Sequence, residues 1–177
     1  MKDPVGGPGT PTRIGLIGFM GSGKSTVGPL LAGLLGWDFM DLDTLVEARA
    51  GCPIAAVFDA HGEERFRALE STCLRDAAWR RRVVIATGGG APMRDANRWF
   101  FRDAGTGVFH LHVSLDGALA RTRGDASRPL LAKGADEVHR LYETRLPRYR
   151  ELGTEILTDG RTPEEVAGEI LARLSGR

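Results

Sequence analysis

Cysteine is scarce in this chain of 177 residues: there are two, Cys52 and Cys73, and neither belongs to a CxxC pair or a Cys/His cluster. This scarcity argues against a disulfide scaffold and against a structural zinc site, so we expect a reduced, cytoplasmic protein. The chain also lacks a surplus of charge of either sign, because its 24 Lys and Arg residues are balanced by 23 Asp and Glu residues. Without a broad basic field, we do not expect a general nucleic-acid binder, although local basic pockets are compatible with this balance.

Long apolar runs are also missing. No stretch reaches the ~18 apolar residues that a membrane span requires, and the first residues contain no apolar signal core. We therefore expect no membrane association. A chain of this length usually forms one domain. Residues 1–12, with three Gly and three Pro, are predicted to be a flexible N-terminal segment, and residues 13–177 a single domain.

Short apolar segments alternate with stretches of helical spacing from residue 13 onward. The predicted strands are residues 14–18, 37–40, 83–86, 107–113 and 155–157. The last helix carries its own start signal, with Thr162 as the cap, Pro163 at the first helical position and Glu165 three residues after the cap. The alternation predicts an α/β fold of three layers, in which a five-stranded parallel sheet has helices on both faces.

A phosphate-binding loop follows the first predicted strand. Residues 18–25 read GFMGSGKS and fit the pattern G-x-x-x-x-G-K-[ST], with an amphipathic helix after them. The glycines let several backbone N–H groups point at one anion, and the helix adds its positive N-terminal end. Lys24 supplies a charge for the β- and γ-phosphates, and Ser25 offers a hydroxyl to Mg²⁺. A chance match in a glycine-rich turn is the alternative, but both flanks are those of a P-loop.

The loop alone does not distinguish a GTPase, an ATPase and a kinase. The single asparagine, Asn97, is followed by Arg98, so the NKxD motif that reads guanine is missing. Except for Asp41, no acidic residue follows an apolar strand where a motor ATPase would hold its metal. At this length a small-molecule kinase of the P-loop type fits best.

Six motifs in one order give the chain a specific resemblance. They are GFMGSGKST at 18–26, D-x-D at 41–43, FRxxE at 66–70, TGGG at 87–90, RPLL at 128–131 and R-x-P-x-Y at 145–149. In this order and spacing the chain resembles the shikimate kinase family from about residue 13 to residue 174. The resemblance implies transfer of the γ-phosphate of ATP to the 3-hydroxyl of shikimate, with one Mg²⁺ ion, a step toward chorismate and the aromatic amino acids. It also implies a monomer.

Asp41 and Asp43 lie at the end of the second predicted strand, where an open α/β sheet binds its ligands. Two side chains one residue apart point to opposite faces of a strand, so we expect different partners for them. We assign Asp41 to the Mg²⁺ shell through water, and Asp43 to the acceptor hydroxyl, which it orients or deprotonates. Spacing alone leaves a helix cap equally open for Asp43, since the residues from 44 onward are helical; the resemblance favours function.

Two arginines are the candidates for an acceptor carboxylate, because a guanidinium grips a carboxylate with two parallel hydrogen bonds. The resemblance places Arg67 and Arg145 at the family's substrate positions, with Glu70 as the partner that holds Arg67. It also places Gly89 and Gly90 against shikimate. Arg148 stands where the family commonly has leucine, and we assign it no role.

The remaining predicted positions concern the nucleotide. The P-loop residues are Gly21, Ser22, Gly23, Lys24, Ser25 and Thr26. The resemblance implies that Arg121 stacks on adenine, that Arg161 lies in a second adenine-contacting loop, and that residues 124–134 form a lid. Within that lid, Arg128 is expected to reach the transferring phosphoryl group, which makes it catalytic together with Lys24 and Asp43.

Two other functions compete with this one. A gluconate-type kinase would keep the scaffold and change the acceptor, but Arg67, Arg145 and the glycine triplet favour shikimate. A catalytically silent P-loop domain, which senses nucleotide or binds a partner, would be expected to have lost Lys24, Ser25, Asp43 or Arg128. All four are present.

Overall fold

The computed structural model describes residues 10–123 and 134–176. These residues form a five-stranded parallel sheet. Its strands are β1 (Arg13–Ile17), β2 (Asp38–Asp41), β3 (Val83–Ala86), β4 (Thr106–His112) and β5 (Thr154–Leu157). They lie side by side in the order β2-β3-β1-β4-β5. The helices are α1 (Lys24–Leu35), α2 (Leu42–Ala50), α3 (Ile54–Ala78), α4 (Arg98–Arg102), α5 (Leu115–Thr122), α6 (Ala135–Leu152) and α7 (Pro163–Leu174).

The sheet is buried on both faces, because its central strands send apolar side chains in both directions. On one face Ile14 and Leu16 of β1 pack with residues of α1 and α7. On the other face Ile17 packs with residues of α2, α3, α4 and α6. The predicted three-layer α/β/α fold is confirmed.

Local signals in the sequence fix several element boundaries. Thr162 and Glu165 form the predicted capping box, in which Thr162 Oγ1 accepts from Glu165 N at 3.2 Å and Glu165 Oε2 from Thr162 N at 2.8 Å. Gly62 separates two stretches of helical spacing, which predicts a break between two helices there. In the structure the backbone at Gly62 has φ 75° and interrupts α3.

The prediction that Asp41 and Asp43 lie on opposite faces of one strand is wrong. Strand β2 ends at Asp41 and α2 begins at Leu42, so Asp43 belongs to the first helical turn. Asp41 is the N-cap, and its Oδ1 accepts a 3.0 Å hydrogen bond from Asp43 N. The capping role that the sequence left open for Asp43 therefore belongs to Asp41, because the helix starts at Leu42, two residues earlier than expected.

Within the described residues, no helix combines the length and apolar character needed to cross a bilayer. The parallel strands all end at the same edge of the sheet, and β1, β2 and β3 deliver the P-loop, the two aspartates and the glycine triplet there.

Candidate active site

A cavity of about 950 Å³ lies at the carboxyl ends of these strands. Every predicted site residue in the described ranges lines it: Gly21, Ser22, Gly23, Lys24, Ser25, Thr26, Asp41, Asp43, Arg67, Gly89, Gly90, Arg121, Arg145 and Arg161. Arg128 and residues 124–133 of the predicted lid lie outside the described residues. One cavity therefore joins the residues predicted for the nucleotide and those predicted for the acceptor.

The P-loop curls around the side chain of its own lysine. Lys24 Nζ donates to Gly18 O at 2.9 Å, to Phe19 O at 3.0 Å and to Ser22 Oγ at 3.2 Å. Gly23 precedes α1 in the left-handed region, with φ 93°, which favours glycine. Among the described residues, the first turn of α1 carries no acidic side chain and no side-chain cap, so its N-terminal end is suited to an anion.

Ser25 and Asp41 bring two oxygen ligands together from α1 and β2. Ser25 Oγ donates to Asp41 Oδ2 at 2.6 Å. A hydroxyl and a carboxylate suit Mg²⁺, which prefers oxygen ligands and keeps several waters. The described residues contain no group of three or more His, Cys, Asp or Glu side chains suited to a metal. These residues thus fit a magnesium ion that takes its other ligands from phosphate and water.

The glycine triplet leaves room for charged side chains to press against the backbone. A Cβ on Gly88 would overlap Glu70 Oε1 and lie 3.2 Å from Asp43 Oδ1. A Cβ on Gly90 would lie 2.5 Å from the guanidinium carbon of Arg67. A side chain at 88 would therefore displace Glu70, the predicted partner of Arg67, and one at 90 would displace Arg67 itself. The sequence pattern alone did not reveal this requirement.

Arg67 is held by two carboxylates. Its Nη1 pairs with Glu70 Oε2 at 2.9 Å, and its Nη2 pairs with Glu63 Oε1 at 3.2 Å. Burial lowers the pKa of Arg67, but Glu70 and Glu63 outweigh that effect and the pKa is raised overall. The predicted contact between Glu70 and Arg67 is present.

Glu70 itself is fully buried. Burial raises its pKa, Arg67 opposes the shift, and Asp43 adds to it. Its second oxygen, Oε1, has no hydrogen-bond partner among the described residues. Glu70 thus connects Arg67 electrostatically to Asp43 across Gly88.

Arg145 approaches the triplet from α6. The residue is 8% exposed, and its Nη1 would lie 3.4 Å from a Cβ on Gly89. Arg67 at Gly90 and Arg145 at Gly89 therefore bring two guanidiniums to adjacent glycines. Arg148, one turn away, is engaged elsewhere, since its Nη1 pairs with Glu151 at 2.9 Å.

Two further arginines line the cavity near the end of β5. Arg121 donates to Gly21 O of the P-loop at 3.2 Å, to Thr158 Oγ1 at 3.0 Å and to Thr158 O at 2.5 Å. Arg161 donates to Leu157 O at 3.1 Å and pairs with Glu169 at 2.5 Å. Arg121 thereby links the P-loop to the segment after β5, a link that sequence reasoning missed.

The parallel sheet, the P-loop after its central strand and the Ser25–Asp41 pair together define a small P-loop kinase. The family model for shikimate kinase matches residues 20–175. The shikimate kinase of Chromohalobacter salexigens is 45% identical over 168 residues, which cover 93% of this chain and 92% of that protein. The chain belongs to the shikimate kinase family.

Solved structures agree with this assignment. Shikimate kinase from Acinetobacter baumannii, in complex with shikimate, superposes with a TM-score of 0.89 at 36% identity, and the match covers 94% of each chain. A gluconokinase from Sinorhizobium meliloti superposes with a TM-score of 0.62 at 21% identity, over 94% of this chain and 93% of that one. At that identity the second likeness indicates the fold alone.

Proposed function

We propose that this chain transfers the γ-phosphoryl group of ATP to the 3-hydroxyl of shikimate, giving shikimate 3-phosphate and ADP. This reaction of its family is a step of aromatic amino-acid biosynthesis. The observation that carries the proposal is the meeting of Asp43, Arg67 and Arg145 around the glycine triplet, in the same cavity as the P-loop.

The P-loop binds the phosphates of ATP. Backbone N–H groups of residues 21–26 and the N-terminal end of α1 hold the β- and γ-phosphates, and Lys24 adds a positive charge. Ser25 and, through water, Asp41 hold Mg²⁺, which neutralises phosphate charge when bound. Arg121 and Arg161, which line the cavity near the end of β5, contact the adenine.

The acceptor half binds and activates shikimate. Arg67 and Arg145 grip the carboxylate, and backbone N–H groups of Gly89 and Gly90 bind the substrate beside them. Asp43 orients the 3-hydroxyl and takes its proton as the oxygen attacks the γ-phosphorus, whose bond to the β-phosphate bridging oxygen breaks. Arg128 stabilises the charge on the phosphoryl group during transfer.

The remaining features of the proposal concern the whole protein. We infer one catalytic domain over residues 13–177. The predictions for residues 1–9 and for the lid at 124–133 lie outside the described residues, whereas Thr12, placed in the N-terminal segment by the sequence, is hydrogen-bonded to Gly105 and Arg82. We also infer a monomer that works in the cytoplasm without nucleic-acid or membrane partners. The two described cysteines are both free, which is in keeping with a reducing compartment.

A coupled assay of ADP release tests the proposal, with shikimate, gluconate and no acceptor as its three arms. We expect turnover with shikimate and only background with the other two. Lys24→Ala serves as the inactive control, because it removes a phosphate contact without removing a core side chain. Turnover with gluconate alone would give the site a different acceptor, and nucleotide binding without turnover in any arm would favour a silent P-loop domain. Near-normal turnover of folded Lys24→Ala would contradict the P-loop assignment.

A further inference from the structure

Tyr149 is buried against the glycine triplet. It lies on α6 one turn after Arg145, is 1% exposed, and donates a 2.6 Å hydrogen bond from its hydroxyl to Gly89 O. Burial raises the pKa of Tyr149 to about 12. The phenol therefore stays protonated throughout the neutral pH range and keeps its donor.

This hydrogen bond fixes the orientation of a peptide group that faces the cavity. The peptide bond between Gly89 and Gly90 is trans, so its C=O and N–H point in opposite directions. A donor that holds Gly89 O therefore also aims the N–H of Gly90. Among the described residues, that N–H donates to no other group, although Gly90 is buried and lines the cavity.

The same hydroxyl lies beside the guanidinium of Arg145. A Cβ on Gly89 would be 3.4 Å from Tyr149 Oη, from Arg145 Nη1 and from Gly18 O, so these three atoms surround one point. The phenol hydrogen is engaged in the hydrogen bond to Gly89 O, so the Tyr149 oxygen can act only as an acceptor toward its other neighbours. A positive charge beside this oxygen is therefore favoured. Arg145 accordingly lowers the pKa of Tyr149, against the larger effect of burial.

We propose that Tyr149 is a positioning residue for the acceptor, which aims the Gly90 N–H and the Arg145 guanidinium at bound shikimate. The inference rests on the proposed function, because both groups belong to its acceptor half. Tyr149 is not among the residues that line the cavity, so its effect passes through Gly89 and Arg145.

The chain supplies a matched control, since its other tyrosine, Tyr142, lies on the same helix. Tyr142 is 7% exposed, and its hydroxyl donates to Val113 O at 3.0 Å, away from the cavity lining. Tyr149→Phe and Tyr142→Phe therefore each remove one buried hydroxyl that binds a backbone carbonyl. We expect Tyr149→Phe to raise the KM for shikimate about tenfold, with kcat and the KM for ATP changed less than twofold. Tyr142→Phe should change none of the three.

A rescue separates the donor from the volume of the ring. Tyr149→4-aminophenylalanine restores an N–H donor at the same place, and its KM for shikimate should return to within about threefold of the wild-type value. If Tyr149→Phe does not fold, Tyr149→4-fluorophenylalanine fills the volume without a donor and replaces it in the comparison.

The outcomes keep this inference apart from the proposed function. If the wild type does not phosphorylate shikimate, the proposed function is wrong, and the inference about Tyr149 is overturned together with it. If the wild type is active, the inference alone is overturned by any of three results: an unchanged KM for shikimate in Tyr149→Phe, equal losses in both Phe variants, or no rescue by the amino group.

Discussion

Asp41 and Asp43 are separated by one residue, yet they belong to different elements and have different surroundings. Asp41 caps α2 and accepts from Ser25, whereas Asp43 lies in the first helical turn near Gly88. Asp41→Asn keeps a good N-cap, so it removes the charge beside Ser25 with little loss of helix stability. We expect Asp41→Asn to need more Mg²⁺ for activity, with part of the rate recovered at high Mg²⁺.

Asp43→Asn should behave differently in the same Mg²⁺ titration of initial rates. An amide is a far weaker base than a carboxylate, so turnover should fall by ~10²-fold or more while MgATP still binds. Excess Mg²⁺ should not restore it. Rescue of Asp43→Asn in place of Asp41→Asn would exchange the two roles, and full rates in both variants would leave Asp41 as a helix cap only.

Arg67 and Arg145 are expected to share the acceptor carboxylate. Truncation of either to Ala should weaken shikimate binding by ~1.5–3 kcal/mol, the range for hydrogen bonds to charged groups. Arg67→Ala should also lower the free energy of unfolding, because it leaves Glu70 buried without its guanidinium.

Binding of shikimate and of ATP, each measured alone by calorimetry, checks this prediction. ATP affinity should stay nearly constant in both variants. The exposed Arg65 on the same helix provides the control, and Arg65→Ala should leave shikimate binding unchanged. Parental shikimate affinity in both Arg67→Ala and Arg145→Ala would mean that the carboxylate is bound elsewhere.

At the scale of the element, α1 contains two glycines in opposite surroundings. A Cβ on Gly28 would overlap the ring of Phe39, where the helix packs on β2, whereas a Cβ on the exposed Gly33 would meet nothing within 4 Å. Gly33→Ala should therefore raise the free energy of unfolding by about 0.5–1 kcal/mol, because alanine loses less backbone entropy in a helix. Gly28→Ala should lower it by ~1–3 kcal/mol through overpacking.

Urea unfolding of the two variants beside the wild type measures both effects. Since each substitution adds one methyl group to the same helix, helix propensity alone would make the two changes equal. Equal stabilisation would show that Gly28 is not needed for the packing of α1 on β2.

Much of each element can be predicted from local sequence signals. The capping box at Thr162, the break at Gly62 and the P-loop each depend on residues close together in the chain, and all three are present in the structure. The start of α2 was missed, because Asp41 is both the last residue of β2 and the N-cap of α2. The spacing of the two aspartates does not show that the helix begins between them.

Contacts between distant residues explain what else the sequence did not reveal. Gly88 makes room for Glu70, Gly90 makes room for Arg67, and Tyr149 holds Gly89, in each case across about 20 or more residues of chain. The order of motifs identified which residues lie together in the site, but the pair of Arg67 and Glu70 was the one contact among them that it predicted. Tyr149 did carry one signal, since it follows Arg145 by one helical turn.

At the scale of the whole molecule, stability should depend on pH through a histidine inside the sheet layer. His110 is 1% exposed, and burial, together with the neighbouring His112, lowers its pKa from 6.5 to about 4. Between pH 6.5 and pH 4 the unfolded chain therefore binds a proton that the folded protein does not bind. The contribution of neutral His110 to the free energy of unfolding is fully present above pH 6.5. It is lost as the pH falls toward 4, to a total on the order of 3 kcal/mol.

Free energies of unfolding measured in urea between pH 4.5 and pH 7.5 test this dependence. His110→Gln should flatten the curve in that window, because it removes the group that titrates. His139→Gln removes an exposed histidine of α6 and should leave the slope as it is. An identical slope in His110→Gln and wild type would assign the pH dependence to other groups.

If Arg67 grips the acceptor carboxylate as we propose, its pairing with Glu63 would make substrate binding an exchange of carboxylate partners. Glu70 holds this guanidinium from the buried side, while Glu63 is 55% exposed at its side chain and lines the cavity. An arriving acceptor carboxylate would then compete with Glu63 for the N–H donors of Arg67. The affinity for the acceptor at Arg67 would be the difference between two carboxylate–guanidinium pairings, and the guanidinium would exchange an internal partner for an external one without losing its ion pair.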